Sequence, residues 1–255
     1  MKYIVSASTD IGIVKESNQD SLNVRVLSFG QEQMVFAVLC DGMGGLEKGE
    51  VASASLVNAF HKWTDARLPA LYQEGITETC VRQEWTDIIV QFNEKLKNYG
   101  KKCAVNLGTT LTAILLMKEK YFIVNVGDSR IYEIFDVARV LTKDQTVVAR
   151  EVELGNLTPE QAKTDSRRSV LLQCIGASDA VYPDFFTGAT KKDAVYMLCS
   201  DGFRHEITSE EIYNGLRPSE MVTAQQMKEK ELALIALNKQ RQERDNISVI
   251  TIRTF

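Results

Sequence analysis

An α+β fold, with helices laid over one or two sheets, is what the order of apolar segments predicts for this 255-residue chain. Three observations carry the prediction. Short β-branched or aromatic runs come in adjacent groups, and long segments of helical periodicity stand between the groups instead of alternating regularly with single strands. The third is composition: 44% hydrophobic and 25% charged residues with only 4 Pro and 15 Gly belong to a chain that buries a core, and exclude a disordered or collagen-like one.

Taken in order, Tyr3 to Ala7 opens the chain as a strand-like run, and Met34 to Cys40 is a fully apolar one. A helical segment runs from about Gly49 to His61. In Thr77 to Asn98 the residues Val81, Trp85, Ile88, Ile89, Phe92 and Leu96 recur at spacings of three and four, one stripe of an amphipathic helix with a core behind it. Thr110 to Met117 and Tyr121 to Val126 are strand-like again. Thr158-Pro159-Glu160-Gln161 and Thr208-Ser209-Glu210-Glu211 match the capping box, so a short helix starts at each. Ala194 to Cys199 is a buried strand, Met221 to Lys239 a helix, and Ile247 to Ile252 a last strand. No repeat or Pro/Gly/Ser-rich linker divides the sequence, which predicts one domain over residues 1–255.

Charge and side-chain inventory narrow the chemistry. Thirty Lys and Arg against 34 Asp and Glu, with no long basic run, argue against nucleic acid as a partner. Without a signal-type h-region or 18 consecutive apolar residues, no membrane contact and a cytoplasmic location are expected. The five Cys, at 40, 80, 103, 174 and 199, lack CxxC spacing, so neither a disulfide framework nor a zinc site is indicated. With His61 and His205 the only histidines, a Ser-His-Asp triad is hard to assemble, and chemistry must lean on carboxylates, amides, cations or metal.

The informative residues stand at the ends of the strands. Phe36 to Cys40 runs into Asp41-Gly42-Met43-Gly44-Gly45, Ile123 to Val126 into Gly127-Asp128-Ser129-Arg130, and Tyr196 to Cys199 into Ser200-Asp201-Gly202. Asp245-Asn246 immediately precedes the Ile247 run, and Asn18-Gln19-Asp20 comes after the first strand and a loop. Any one Asp-Gly after a strand reads as a common turn. Several acids at strand ends, if the ends share one rim, would repel one another in a poorly solvated place, and divalent metal resolves that conflict. Oxygen ligands without His or thiolate favour Mg²⁺ or Mn²⁺ over zinc. The glycines after Asp41 and Asp201 would let the backbone turn sharply and approach a metal or its waters.

In order along nearly the whole chain, these motifs resemble the metal-dependent protein Ser/Thr phosphatases of the type 2C class, the PPM family, in its compact bacterial form. The matching segments are Thr9-Asp10-Ile11-Gly12 through Lys15 to Asn18-Gln19-Asp20-Ser21, then Asp41 to Gly45, Gly108-Thr109-Thr110 and Val126 to Arg130. Leu141-Thr142-Lys143-Asp144, Ser200-Asp201-Gly202 and Asp245-Asn246 complete the set. The resemblance implies a four-layer α-β-β-α sandwich of two antiparallel sheets flanked by helices, holding two or three Mn²⁺ or Mg²⁺ ions per chain at one end. Asp41 would bridge two metals, the Gly42 carbonyl would hold one of them, and Asp201 with Asp245 the other. Asp128, with Asp201, would hold a third metal. Asp20 and Asn246 would stand behind these ligands, Asp20 ordering metal-bound waters. Residues 146–172 would form a mobile flap. Two ions about 3.5 to 4 Å apart lower the pKa of a shared water toward neutrality, so a water attacks phosphorus directly and no protein nucleophile is needed. Asp41, Asp201 and Asp245 would then be catalytic through that water.

Four positions depart from the common pattern of the family. Lys15 stands where Arg is usual, offering the substrate phosphate a point charge instead of a bidentate fork. Gln19 replaces a frequent acid, Met43 a His of many eukaryotic relatives, and Gln145 the His after Asp144, so protonation of the leaving group falls to water. The retained metal acids argue against a pseudoenzyme. His205, four residues past Asp201, is close enough to reach the cleft rim but is expected to be a loop histidine without a catalytic role, His61 to be structural or solvent-facing, and Cys40 and Cys199 to be small buried hydrophobes. The leading function is hydrolysis of phosphoserine and phosphothreonine in proteins, opposing a cytoplasmic Ser/Thr kinase, by a monomer. A phosphoprotein-binding pseudophosphatase or scaffold, and a phosphatase of small phosphomonoesters, remain as alternatives.

Overall fold

A computed structural model describes residues 1–43 and 48–255; Gly44 and Gly45 of the second motif lie outside the described residues. The strands are β1 (Tyr3–Asp10), β2 (Asp20–Phe29), β3 (Glu32–Asp41), β4 (Leu111–Leu116), β5 (Lys120–Val126), β6 (Arg130–Ile134), β7 (Ala138–Val140), β8 (Asp184–Ala189), β9 (Val195–Cys199) and β10 (Ile247–Thr254). They form two five-stranded antiparallel sheets, of order β1-β10-β9-β6-β7 and β2-β3-β4-β5-β8.

Three apolar layers separate four layers of structure. Between the sheets, Val35, Ala37 and Leu39 of β3 meet Ile131, Tyr196, Leu198, Ile250 and Ile252 of the other sheet. The opposite faces of the same strands are buried as well, since strand side chains alternate. Phe36, Val38 and Cys40 pack under α1 (Gly49–Ala66), α2 (Leu68–Glu74) and α3 (Glu78–Cys103). Met197, Cys199 and Val249 pack under α6 (Asp201–Arg204), α7 (Ser209–Leu216) and α8 (Ala224–Gln240). The stripe on α3 does what its spacing predicts: Trp85 is fully buried against Phe36, Phe60 and Trp63, with ring centroids 6.0, 6.1 and 5.6 Å away. Both capping boxes form, Thr158 opening α5 (Pro159–Thr164) and Thr208 opening α7. A seven-residue helix, α4 (Val147–Glu153), precedes α5.

The predicted interior strands and long helices are present, with α1 and α3 running five residues further than the periodicity suggests. Strands β2, β6, β7 and β8 and helices α2, α4 and α6 were not legible. Cys40 and Cys199 are buried, and burial pushes the Cys199 thiol up to about 12, so it stays protonated. His61, exposed on α1, faces Asp65. Among the described residues no helix is long and apolar enough to cross a membrane.

Candidate active site

Antiparallel pairing converts acids scattered along the chain into one rim. Asp20 begins β2 directly opposite Asp41, which ends β3, and Asp10 ends β1 opposite Ile247, two residues beyond Asp245. Asp201 lies just past the end of β9, and Asp128 lies between the end of β5 and the start of β6. The backbone of Asp41 is fixed by Thr109 and Thr110: its N–H donates to Thr110 Oγ1 (2.9 Å), and its carbonyl accepts from Thr110 N–H (2.9 Å) and Thr109 Oγ1 (3.0 Å).

The two glycines are also required by packing. A Cβ on Gly42 would lie 2.5 Å from the Gly49 carbonyl oxygen, and one on Gly202 would lie 2.3 Å from that of Asn246. They let neighbouring backbones close around the acids.

The carboxylates feel one another. Burial, then the proximity of Asp20, Asp201, Asp128 and Asp245, pushes the Asp41 carboxyl well above the ordinary range. Asp20 is pushed up to about 7 by burial and by Asp201 and Asp245; the hydroxyls of Ser248 and Ser200 pull the other way, yet neither Asp20 oxygen has a hydrogen bond of ordinary geometry. Asp201 Oδ1 is likewise buried without a partner. Asp128 is pushed up to about 7 by burial and Asp201, against the opposing pull of Arg204.

Orphaned carboxylate oxygens beside mutually repelling acids fit divalent cations, because unpaired buried charges cost several kcal/mol each. Among the described residues no three His, Cys, Asp or Glu side chains form a ready-made cage. A site of this kind takes much of its coordination from water and backbone carbonyls, a habit of Mg²⁺ more than of Ca²⁺ or Zn²⁺.

Lys15 reaches the same acids. Its Nζ is 2.8 Å from Asp245 Oδ1. Burial works against its charge, but Asp245, Asp41 and Asp201 outweigh that and raise its pKa, so it stays protonated. Asn246 holds both ends of the Lys15 loop: its Nδ2 donates to the carbonyls of Ile11 (3.0 Å) and Ser17 (3.1 Å), and its Oδ1 accepts from Gln19 N–H (2.9 Å).

Gln145 has a structural role. Its Oε1 accepts from Gly127 N–H (2.9 Å) and Gln173 Nε2 (2.8 Å), and its own Nε2 donates to Asp184 (2.8 Å). The 146–172 segment therefore leaves and rejoins the fold beside Asp128, closed by a bridge between Thr146 and Leu171.

The sequence pointed to Lys15 and to a His205 able to reach the rim, but not to Arg204 and Arg130. His205 follows α6 as its C-cap and stands between Asp201 Oδ2 and Glu243 Oε2, 3.5 Å from each and 14% exposed. Burial lowers its pKa, but Glu243 and Asp201 outweigh burial and raise it overall. Arg204 lies between Asp128 and Asp144, and Arg130 forks onto Asp144 with two 2.7 Å bonds. For Arg204 the available signal was position: it falls three residues after Asp201, within one helical turn.

Comparison with known proteins gives a consistent picture. The family model described as Protein phosphatase 2C matches residues 13–238. The protein phosphatase PhpP of Streptococcus pneumoniae is 30% identical over 211 residues, 82% of this chain and 82% of that protein. Among solved structures, the serine/threonine phosphatase of S. agalactiae superposes with a TM-score of 0.86 at 25% identity, covering 100% of both chains. The catalytic domain of the phosphatase PstP in complex with two manganese ions superposes with a TM-score of 0.77 at 25% identity, over 98% of this chain and 97% of that one.

Proposed function

The chain belongs to the protein phosphatase 2C family and is a protein serine/threonine phosphatase, and on that premise we propose that Asp41, the Gly42 carbonyl, Asp201 and Asp245 hold its divalent metal ions. The observation that carries this reading is the gathering of Asp20, Asp41, Asp201 and Asp245 on one rim, with buried, unpartnered oxygens on Asp20 and Asp201 and with Lys15 paired to Asp245. Bound there, Mn²⁺ or Mg²⁺ would polarise the phosphoryl group and activate a water for attack on phosphorus.

The chain's own residues do the rest. Lys15, already protonated among acids, supplies a positive charge to the substrate phosphate. Asp20 offers two acceptor oxygens to water in the cleft, and Asn246 keeps the Lys15 loop in register with the acids. Neither Met43 nor Gln145 carries a transferable proton, so the leaving alkoxide takes its proton from solvent. In this reading the substrates are phosphoproteins made by a cytoplasmic Ser/Thr kinase, the enzyme works as a monomer formed by a single domain, and residues 146–172 act as a flap over the cleft.

The test is phosphate release from a phosphothreonine peptide. Turnover is expected with Mn²⁺, with a drop of at least about 100-fold in EDTA and recovery when Mn²⁺ is returned. A chain that binds the peptide but releases no phosphate with either ion would instead be a scaffold. For Lys15→Met, loss of one charge-assisted hydrogen bond of about 1.5–3 kcal/mol predicts KM raised about tenfold or more with kcat changed far less. An unaltered KM would remove Lys15 from the phosphate site. Lys15→Arg is expected to lower KM.

A further inference from the structure

We propose that Arg204 is the resident cation of Asp128, so that the chain takes up two divalent ions, at Asp41, Asp201 and Asp245, and none at Asp128. The proposal rests on the metal-site reading of the proposed function and departs from the expectation of a third ion.

Arg204 is one turn beyond Asp201 on α6, and its side chain is only 12% exposed. Its Nη2 donates to the Asp128 carbonyl oxygen at 3.0 Å, lies 3.5 Å from Asp128 Oδ2 and is 3.2 Å from Asp144 Oδ2. Arg130 closes the group by forking onto Asp144. Asp128 and Asp144 thus each have a guanidinium partner before any metal arrives, and the acid left beside them without enough positive charge is Asp201. A divalent ion on Asp128 would have to sit against a buried arginine that is always charged.

The rest of the rim differs in kind. Asp20 and Asp201 present buried oxygens with no partner. Lys15 does neutralise Asp245, but it belongs to a loop rather than a helix, is 27% exposed, and can swing its flexible stem into solvent when an ion arrives. Arg204 has no such freedom, since leaving Asp128 would also strip Asp144 of a partner or leave the guanidinium buried and unpaired.

The experiment counts Mn²⁺ per chain at saturation, by equilibrium dialysis with elemental analysis, for the wild type, Arg204→Lys and Arg204→Gln. Two ions are expected for the wild type and for Arg204→Lys, which keeps a cation in place, and three for Arg204→Gln. Three ions in the wild type, fewer than two, or a folded Arg204→Gln variant that still takes two would each overturn the proposal. If Arg204→Gln does not fold, the wild-type and Arg204→Lys counts decide alone. Phosphate release from the phosphothreonine peptide is measured in parallel. Two bound ions without turnover would defeat the phosphatase reading of the site and leave this one standing.

Discussion

Asp201→Asn is expected to lower phosphate release from a phosphothreonine peptide by more than about 100-fold, since disturbing residues one shell removed from a metal already costs about 10- to 100-fold. The substitution keeps the shape of the side chain and removes one charge, so the loss cannot be charged to a cavity. Asp201 Oδ1 is buried and has no partner within the protein, and Asp201 is a neighbour of Asp41, Asp20 and Asp128. An amide there offers an N–H to a space suited to a cation. Without metal, the variant should be at least as stable as the wild type, because one member of a repelling group is gone. With Mn²⁺, the wild type should gain more in melting temperature than the variant, since an ion that binds only the folded chain stabilises it by mass action. Turnover within about tenfold of the wild type, well short of a lost ligand's cost, would take Asp201 out of the metal site.

The sequence exposed the acids of this site and Lys15 but hid the arginines, for a physical reason. Strands β3, β4, β5, β9 and β10 are buried on both faces, so they appear as largely apolar runs, and those of β3, β5 and β9 lead straight into an Asp. Other strands lack that signature: β2 alternates, β8 is half exposed, β7 has only three residues, and β6 is short, with Arg130 and Glu133 among its five residues. The acids come together because antiparallel register places one strand's end beside the next one's beginning, as with Asp20 and Asp41. The partners of those acids are chosen across long stretches of chain. Arg204 and Asp144 are 60 positions apart, and Asn246 and Gln19 are 227 apart. No local pattern encodes such a choice. Gly42 and Gly202 were legible as special positions, and the packed strands add that they admit neighbouring backbone.

Asp144→Ala is expected to destabilise the fold by about 3–5 kcal/mol in urea unfolding at neutral pH, the cost of removing one partner from a buried ion pair. Asp144 is only 14% exposed and is held by Arg130 through two bonds and by Arg204 through one. Burial alone would raise its carboxyl pKa, but Arg204 and Arg130 overcome burial and hold it below the ordinary range. A carboxylate depressed in the folded state stabilises fully above its unfolded pKa of about 3.9. That contribution is lost as pH falls through the lower, folded value. The gap between wild type and variant should therefore be flat through neutral pH and close in acid. Replacing Asp144 and Arg204 together by apolar residues should cost less than the sum of the single changes, because neither charge is then left stranded. A cost for Asp144→Ala below about 1 kcal/mol, the range of exposed pairs, would mean that solvent already screens this cluster. Arg204 would then be free to yield Asp128 to a metal ion, and the ion count and the stability of Asp144→Ala would fail together.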